Sequence, residues 1–423
     1  MSSTGHRYNV GGILLDRPFK IRRLGHFGFN VTRLEEARHF YGDLLGFTVA
    51  DEADFSGAPW FPKEAGFGDC HGYFMRYGTD HHAIVLFSKP VMDQRADRQF
   101  APEVTINQIT WQCGSLREIV EAYGYFEKQQ VRIQRVGRDM PGSNWHTYVY
   151  DPDGHTNELY YGIEQIGWNQ ESKPRAMYYR GFREKPELPQ MSEAAEIAEA
   201  QQKGIDIFSG HRPTLPPHPT LSPTGGEGRV RGPNGGKTYD VDGVLLPRPF
   251  KITKIGPVRL LVEDVDRAEA FYTRHLGLTK SEESVYRGAR CVFLRTGAEH
   301  HSIALYPREL RDVLGLSRHT TCLSFGVELA NYAQLREAID FLKSQGCTLI
   351  DLPPELYPGI DYATFALDPD GHCIQLYYYM EQIGWDGKVR PASARRLVTG
   401  DWPEALEPLG DTYVDQVFQG PFG

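Results

Sequence analysis

Long apolar runs are missing from this 423-residue chain. With no stretch of about 18 consecutive apolar residues, a hydropathic membrane-spanning helix is excluded. Paired cysteines are missing too. Six cysteines (Cys70, Cys113, Cys291, Cys322, Cys347, Cys373) lie far apart without a CxxC spacing. That pattern argues against a disulfide frame or a cysteine-rich zinc cluster and reads as reduced thiols. There is no basic stripe. Lys and Arg number 46 against 55 Asp and Glu, for a net charge of −9, a balance that disfavours nucleic-acid binding. The opening MSSTGHRYNVGG lacks a charged-then-apolar leader, so a cytoplasmic location is expected. What is present is ordinary for a soluble globular protein: 40% hydrophobic and 24% charged residues. The length implies two or three domains.

The strongest positive signal is duplication. GGILLDRPFK (11–20) returns as DGVLLPRPFK (242–251), and LEEARHFYGDLLGF (34–47) as VDRAEAFYTRHLGL (265–278). YGTDHHAIVLF (77–87) returns as TGAEHHSIALY (296–306), and DPDGHTNELYYGIEQIGW (151–168) as DPDGHCIQLYYYMEQIGW (368–385). The offset falls from 231 to 217 along the chain, so the first copy carries extra loop residues, mainly between Phe47 and Tyr73.

Each copy divides again. Its first half reads as a strand (21–31), a helix (34–44) and strands ending in HHAIVLF; its second as a strand (105–113), a helix (116–129) and strands ending in NELYY. The second helix shows apolar spacing at Leu116, Ile119, Val120 and Tyr123. Thr147 and Val149 alternate with Tyr148 and Tyr150, as in a strand packed on one face. Between the copies, SEAAEIAEAQQK (192–203) reads as a Ser-capped helix. Residues 211–236 follow, with six Pro and six Gly among 26. Such a stretch has too little apolar content to build a core and reads as a disordered insert at an exposed loop tip.

Four strand–helix–three-strand modules in two copies resemble the vicinal oxygen chelate (VOC) superfamily. That group includes glyoxalase I, bleomycin-resistance proteins and type I extradiol ring-cleaving dioxygenases. The resemblance rests on LGHFGFNV, HHAIVLF, INQITWQCGSL and DPDGHTNELYY, and covers about residues 20–170 and 251–385. Length and layout look most like the catechol 2,3-dioxygenase type. The resemblance implies an α+β fold of two tandem domains, each a pair of βαβββ modules forming a cup-shaped mixed sheet. The expected boundaries are a lead-in at 1–20, domain 1 at 21–170, a linker at 171–241, domain 2 at 242–390 and a tail at 391–423.

In the family, Fe(II) or sometimes Mn(II) is held by two His and one Glu, leaving one face free for catecholate and O₂. Carried over by motif, His26 falls at the first ligand position and Glu158 at the carboxylate. Gln108 stands where the family pattern INHIAW has its second His. Three outcomes stay open there: Gln108 binds through oxygen, His146 or His82 fills the vacancy, or the metal is absent. His82 falls at the position of the acid–base His and Tyr148 at that of a Tyr lining the cup. His146, two residues before it, shares that face of the strand. In copy two, His26 is matched by Pro257, Gln108 by Cys322, Glu158 by Gln375 and Tyr148 by Phe365, while His301 keeps the position of His82. A Pro and a neutral amide at ligand positions disfavour a metal, so copy two reads as a structural partner. In the dioxygenases the C-terminal copy is usually the active one; here the order is reversed.

The resemblance thus implies an extradiol-dioxygenase-like enzyme cleaving a catechol-type aromatic with O₂. The alternative is a metal-free binding protein for an aromatic or hydrophobic small molecule, as in bleomycin resistance. A glyoxalase-type isomerase would want a further ligand where Val85 stands. The EQIGW segments (164–168 and 381–385) read as packing elements with Trp168 and Trp385 buried, the RPFKI stretches as lead-in strands, and the tail as free of chemistry. The sequence leaves oligomeric state open; members of the superfamily commonly assemble through sheet edges, so a homo-oligomer is a further expectation.

Overall fold

The computed structural model describes the chain except residues 1–5, 59–60, 62–65, 67, 96–102, 140, 168, 181–183, 212–236, 318–319, 385, 397, 399 and 407–423. The expected burial of Trp168 and Trp385 and nearly all of the 211–236 insert lie outside the described residues.

The first copy runs β1 (Tyr8–Val10), β2 (Ile13–Leu15), β3 (Ile21–Val31), α1 (Leu34–Arg38, continuing as a π-helix His39–Leu45), β4 (Thr48–Asp54), β5 (His71–Arg76), β6 (Ile84–Ser88), α2 (Lys89–Met92) and β7 (Ile106–Cys113). It continues with α3 (Leu116–Lys128), β8 (Ile133–Arg138), β9 (Trp145–Tyr150) and β10 (Thr156–Tyr161). The connector contributes α4 (Glu193–Gln202). The second copy repeats the plan with β11 (Tyr239–Val241), β12 (Val244–Leu246), β13 (Ile252–Val262), α5 (Val265–Ala270), β14 (Thr279–Tyr286), β15 (Ala289–Arg295), β16 (Ile303–Pro307) and α6 (Leu310–Val313). It closes with β17 (Cys322–Leu329), α7 (Tyr332–Ser344), β18 (Leu349–Ile350), β19 (Ala363–Leu367) and β20 (Cys373–Tyr377). Strands cover only the final Ile of each RPFKI stretch: the hairpin strands β1/β2 and β11/β12 precede it, and the main sheet begins at Ile21 and Ile252.

Each copy forms one eight-stranded mixed sheet, in the order β4-β5-β6-β3-β7-β10-β9-β8 and its equivalent. The two modules of a copy join through the antiparallel pair β3/β7 or β13/β17. Strand alternation separates two faces. On β9, Thr147 bonds the carbonyl of Ile119 on α3, and Val149 is buried in the core on that side. Tyr148 turns the other way, toward Glu158 on β10. Ser115 caps α3 by accepting from the Glu118 amide, and Ile119, Ala122 and Phe126 bury the inner stripe of that helix.

The domains meet along related surfaces. Phe27 stacks on Phe325 with ring centroids 4.4 Å apart. The hydroxyl of Tyr41 donates to Asp368 at 3.0 Å, and that of Tyr272 donates to Asp151 at 2.9 Å. These aspartates open the two DPDG motifs. Asp151 also accepts the amides of Asp153 and His155, and Asp368 those of Asp370 and His372. Gly154 sits at φ 87° and Gly371 at φ 84°, a region glycine enters without strain. The motif is therefore a turn and a domain clamp. Among the described residues no helix is long and apolar enough to cross a membrane.

Candidate functional site in the first cup

The concave face of the first sheet brings the expected residues together. His26 Nε2 lies 3.1 Å from Glu158 Oε2, and the Gln108 amide lies 3.2 Å from the same oxygen. Glu158 is fully buried, and His26 and Gln108 are buried beside it. The register explains the meeting: Gly28 of β3 faces Gln108 of β7, and Glu158 of β10 faces Thr110 of β7 and Tyr148 of β9. Asn144, not singled out from sequence, donates to the other oxygen of Glu158 at 2.5 Å.

Aromatic and imidazole groups surround this trio. The His82 ring packs edge-on against His26 at 4.3 Å, and Tyr160 lies 4.9 Å from His26. The His146 ring lies 4.6 Å from Tyr148, and the guanidinium of Arg135 sits 4.2 Å over the Tyr148 ring. Burial, with His26 and His81 adjacent, pushes His82 well below the ordinary imidazole value, so it is neutral at pH 7. Burial also lowers His146 against the pull of Asp139. Tyr148 is raised well above an ordinary phenol by burial, then by the Glu158 charge, so its hydroxyl keeps its proton. The His26 Nδ1 and Tyr160 hydroxyl are buried without a hydrogen-bond partner.

The second cup is filled instead. Strand register places Ser324, not Cys322, opposite the equivalent of Gly28, so Ser324 matches Gln108. Strands β7 and β17 correspond at an offset of 216 residues, and β10 and β20 at 217. Arg259 occupies the Gly28 position. Its guanidinium donates to Gln375 and to Ser324 and contacts His301 Nε2 at 2.9 Å. Leu261, Phe293, Leu323, Leu352, Leu356 and Phe365 form a buried apolar cluster around it. In the first copy the positions of Leu261 and Leu323 carry Asn30 and Asn107, hydrogen-bonded to one another at 2.8 Å. A polar residue in copy one matched by an apolar one in copy two was the sequence signal for these asparagines.

The comparisons agree with this architecture. The sequence model of the glyoxalase/bleomycin resistance protein/dioxygenase superfamily matches residues 23–159 and 254–376. The chain belongs to that superfamily. No curated protein matches it. Among solved structures it is similar to a catechol 2,3-dioxygenase (17% identity, TM-score 0.52, 92% of this chain and 97% of that one). It is similar to the 2,3-dioxygenase LapB from Pseudomonas sp. KL28 (14% identity, TM-score 0.53, coverage 87% and 95%). It is also similar to a Mn(II)-bound glyoxalase from Novosphingobium aromaticivorans (13% identity, TM-score 0.50, coverage 87% and 85%). At these identities the likeness shows the shared superfamily fold.

The first cup has dimensions that suit a divalent ion. Donors at right angles on a metal with bonds of about 2.1 Å lie about 3.0 Å apart. The spacings of 3.1 and 3.2 Å around Glu158 Oε2 match this. No third His, Cys, Asp or Glu joins the group among the described residues. A third donor would have to be the amide oxygen of Gln108, whose oxygen and nitrogen ends exchange by a half-turn.

Proposed function

We propose that the first domain is an extradiol-dioxygenase-like enzyme that cleaves a catechol-type aromatic with O₂, using Fe(II) or Mn(II) held by His26, Glu158 and Gln108. The observation that carries this reading is the convergence of the His26 imidazole and the Gln108 amide on one oxygen of Glu158, in the cup whose centre is not occupied by an arginine. When bound, the metal supplies adjacent positions for the two catechol oxygens and for O₂.

The chain's own residues do the rest. Neutral His82 beside His26 accepts a proton that a catechol hydroxyl gives up on binding. Tyr148, kept protonated and fixed between Arg135 and His146, orients the aromatic ring. Burial of the set keeps bulk water from the reacting atoms.

Anaerobic Fe(II) loading followed by metal analysis is the deciding experiment, with Glu158→Ala as control. About one Fe per chain, lost in the variant, followed by catechol-dependent O₂ uptake, supports the proposal. No retained metal in the parent protein overturns it.

One observation favours a second reading, a metal-free binder of an aromatic ligand. Glu158 is already met by His26, Gln108, Asn144 and Tyr148, a donor set that satisfies a buried carboxylate without an ion. Under that reading the metal-free protein binds aromatic ligands and Glu158→Ala weakens the binding.

A further inference from the structure

Besides His26, Gln108 and Glu158, the first cup carries a second polar group: Asn30 on β3, Asn107 on β7 and Thr156 on β10. Asn107 Nδ2 donates to Asn30 Oδ1 at 2.8 Å, which leaves the Asn30 amide nitrogen to a second partner. Thr156 is fully buried, and its hydroxyl has no hydrogen-bond partner among the described residues. The matching residues of the second copy, Leu261, Leu323 and Cys373, belong to the apolar cluster that fills its cup. Apolar side chains are therefore compatible with the fold at all three places. Burying two amides and a hydroxyl there costs stability unless something hydrogen-bonds them. Polarity at these places is confined to the cup that holds the candidate site, which points to a ligand rather than to packing.

Strand register places this group along the cup from the candidate metal donors. The His26 amide donates to the Thr110 hydroxyl, and Glu158 lies beside Thr110, so both stand at that level of β7. Toward the start of β7 come Gln108 and then Asn107, and the Asn30 amide donates to the carbonyl of Thr105. Asn30 is four residues from His26, about 13 Å along the strand at about 3.3 Å per residue. The wall between the two levels is aromatic. Phe74 lies 5.2 Å from the His82 ring and 5.6 Å from the Phe87 ring. Phe87 pairs with Asn30 across β3/β6. An aromatic ring lying along this wall from the His82 end directs a substituent toward the asparagines.

None of the three side chains is charged, and each can both donate and accept: two amides whose ends exchange by a half-turn, and a hydroxyl. A carboxylate buried against them would find no counter-charge in the group, whereas a neutral carboxamide would find both donors and acceptors. We propose that Asn30, Asn107 and Thr156 form a subsite that recognises a substituent, and that the first cup takes an aromatic ligand bearing a neutral hydrogen-bonding group of the carboxamide or hydroxyl class. The proposal rests on the aromatic-ligand reading of this cup and names the class of ligand within it.

Anaerobic titration of the Fe(II)-treated full-length protein tests this with 2,3- and 3,4-dihydroxybenzamide as probes. The comparison compounds are methylcatechols and dihydroxybenzoates substituted at the same ring positions. The parent should bind one carboxamide at least about tenfold more tightly than its methyl and carboxylate counterparts, because a site built to hydrogen-bond a group rejects analogues that cannot satisfy it. Asn30→Leu with Asn107→Leu reproduces the second copy and removes both partners of one hydrogen bond together. That double variant should lose the preference while still binding the methylcatechol. Thr156→Val is the second variant should the double variant fail to fold. It should weaken carboxamide binding and, having lost a buried unpaired hydroxyl, melt no lower than the parent. A purely structural role for the group would change Tm and leave the affinity ratio unmoved. No preference for the carboxamide in the parent, or a ratio unmoved in the folded variants, overturns the proposal alone. Failure of every probe to bind the parent overturns it together with the aromatic-ligand reading.

Discussion

Arg259 and Gln375 are in contact where Gly28 and Glu158 stand in the first domain: the guanidinium of Arg259 donates to the amide oxygen of Gln375 at the centre of the second cup. A fixed organic cation thus fills the place that a divalent ion would take in the first cup. The exchange is matched by a neighbour. Gly28 pairs with Val85 across β3/β6, and Arg259 pairs with the smaller Ala304 across β13/β16. A Cβ added at Gly28 would lie 2.5 Å from Val85 Cγ2.

That pairing predicts how one cup converts into the other. Gly28→Arg with Val85→Ala should fold with a Tm close to the parent's, place its guanidinium on Glu158 and retain no metal after Fe(II) loading. Gly28→Arg alone should lose about 1–3 kcal/mol through overpacking. Thermal unfolding, metal analysis and a crystal structure of the double variant check this. A double variant that binds metal as the parent does would refute the equivalence of the two centres.

Supplying a second imidazole should tighten the metal site. A neutral amide is a weaker donor to Fe(II) than an imidazole, so Gln108→His should raise affinity by at least about tenfold, or about 1.4 kcal/mol. Titration against a competing chelator under anaerobic conditions measures it. Unchanged affinity would mean that Gln108 does not face the metal.

Glu158 allows stability to be separated from chemistry. Glu158→Ala strands the donors of His26, Gln108 and Asn144. A buried donor left unsatisfied costs about 1–3 kcal/mol, so urea unfolding should show a loss of at least that size. Glu158→Gln keeps one acceptor oxygen, as Gln375 does in the second copy, and should lose less stability while losing the metal. Equal losses for Ala and Gln would show that hydrogen bonding at this carboxylate matters little to the fold.

The duplication, the strand–helix–three-strand modules and even the bounds of α3 could be read from residue patterns, because apolar spacing and caps are local signals. The predicted strand at 21–31 coincides with β3. His26, Gln108, Glu158, Tyr148, His146 and His82 lie on one cup face, as the motif positions imply. What local patterns did not show is what depends on register and on long-range partners. Ser324 as the match of Gln108 required the β13/β17 register. Asn144 is a loop residue whose only signal is its proximity to Glu158. Arg395 lies in a tail that read as free of chemistry, yet it binds Glu282 and Glu381. Asp51 and His211, hydrogen-bonded at 3.0 Å, are 160 residues apart, a separation no periodicity reveals.

The domain clamp gives a pH dependence of definite sign. Burial opposes protonation of His155, but Asp151 overcomes it and raises the imidazole above its usual value; Asp368 does the same for His372. Each folded pKa lies above the unfolded value of about 6.5. The folded state therefore binds the proton more tightly, and this stabilisation is complete below pH 6.5 and is lost as pH rises through the folded value. His155→Gln, which keeps hydrogen-bonding groups near Asp151 and Thr321 but not the charge, should be destabilised more at pH 6 than at pH 9. Urea unfolding of parent and variant at the two pH values measures the difference, and the same comparison for His372→Gln tests the symmetry of the clamp. A deficit that is equal at both pH values would show that these imidazoles act through hydrogen bonds alone, with no contribution from their charge.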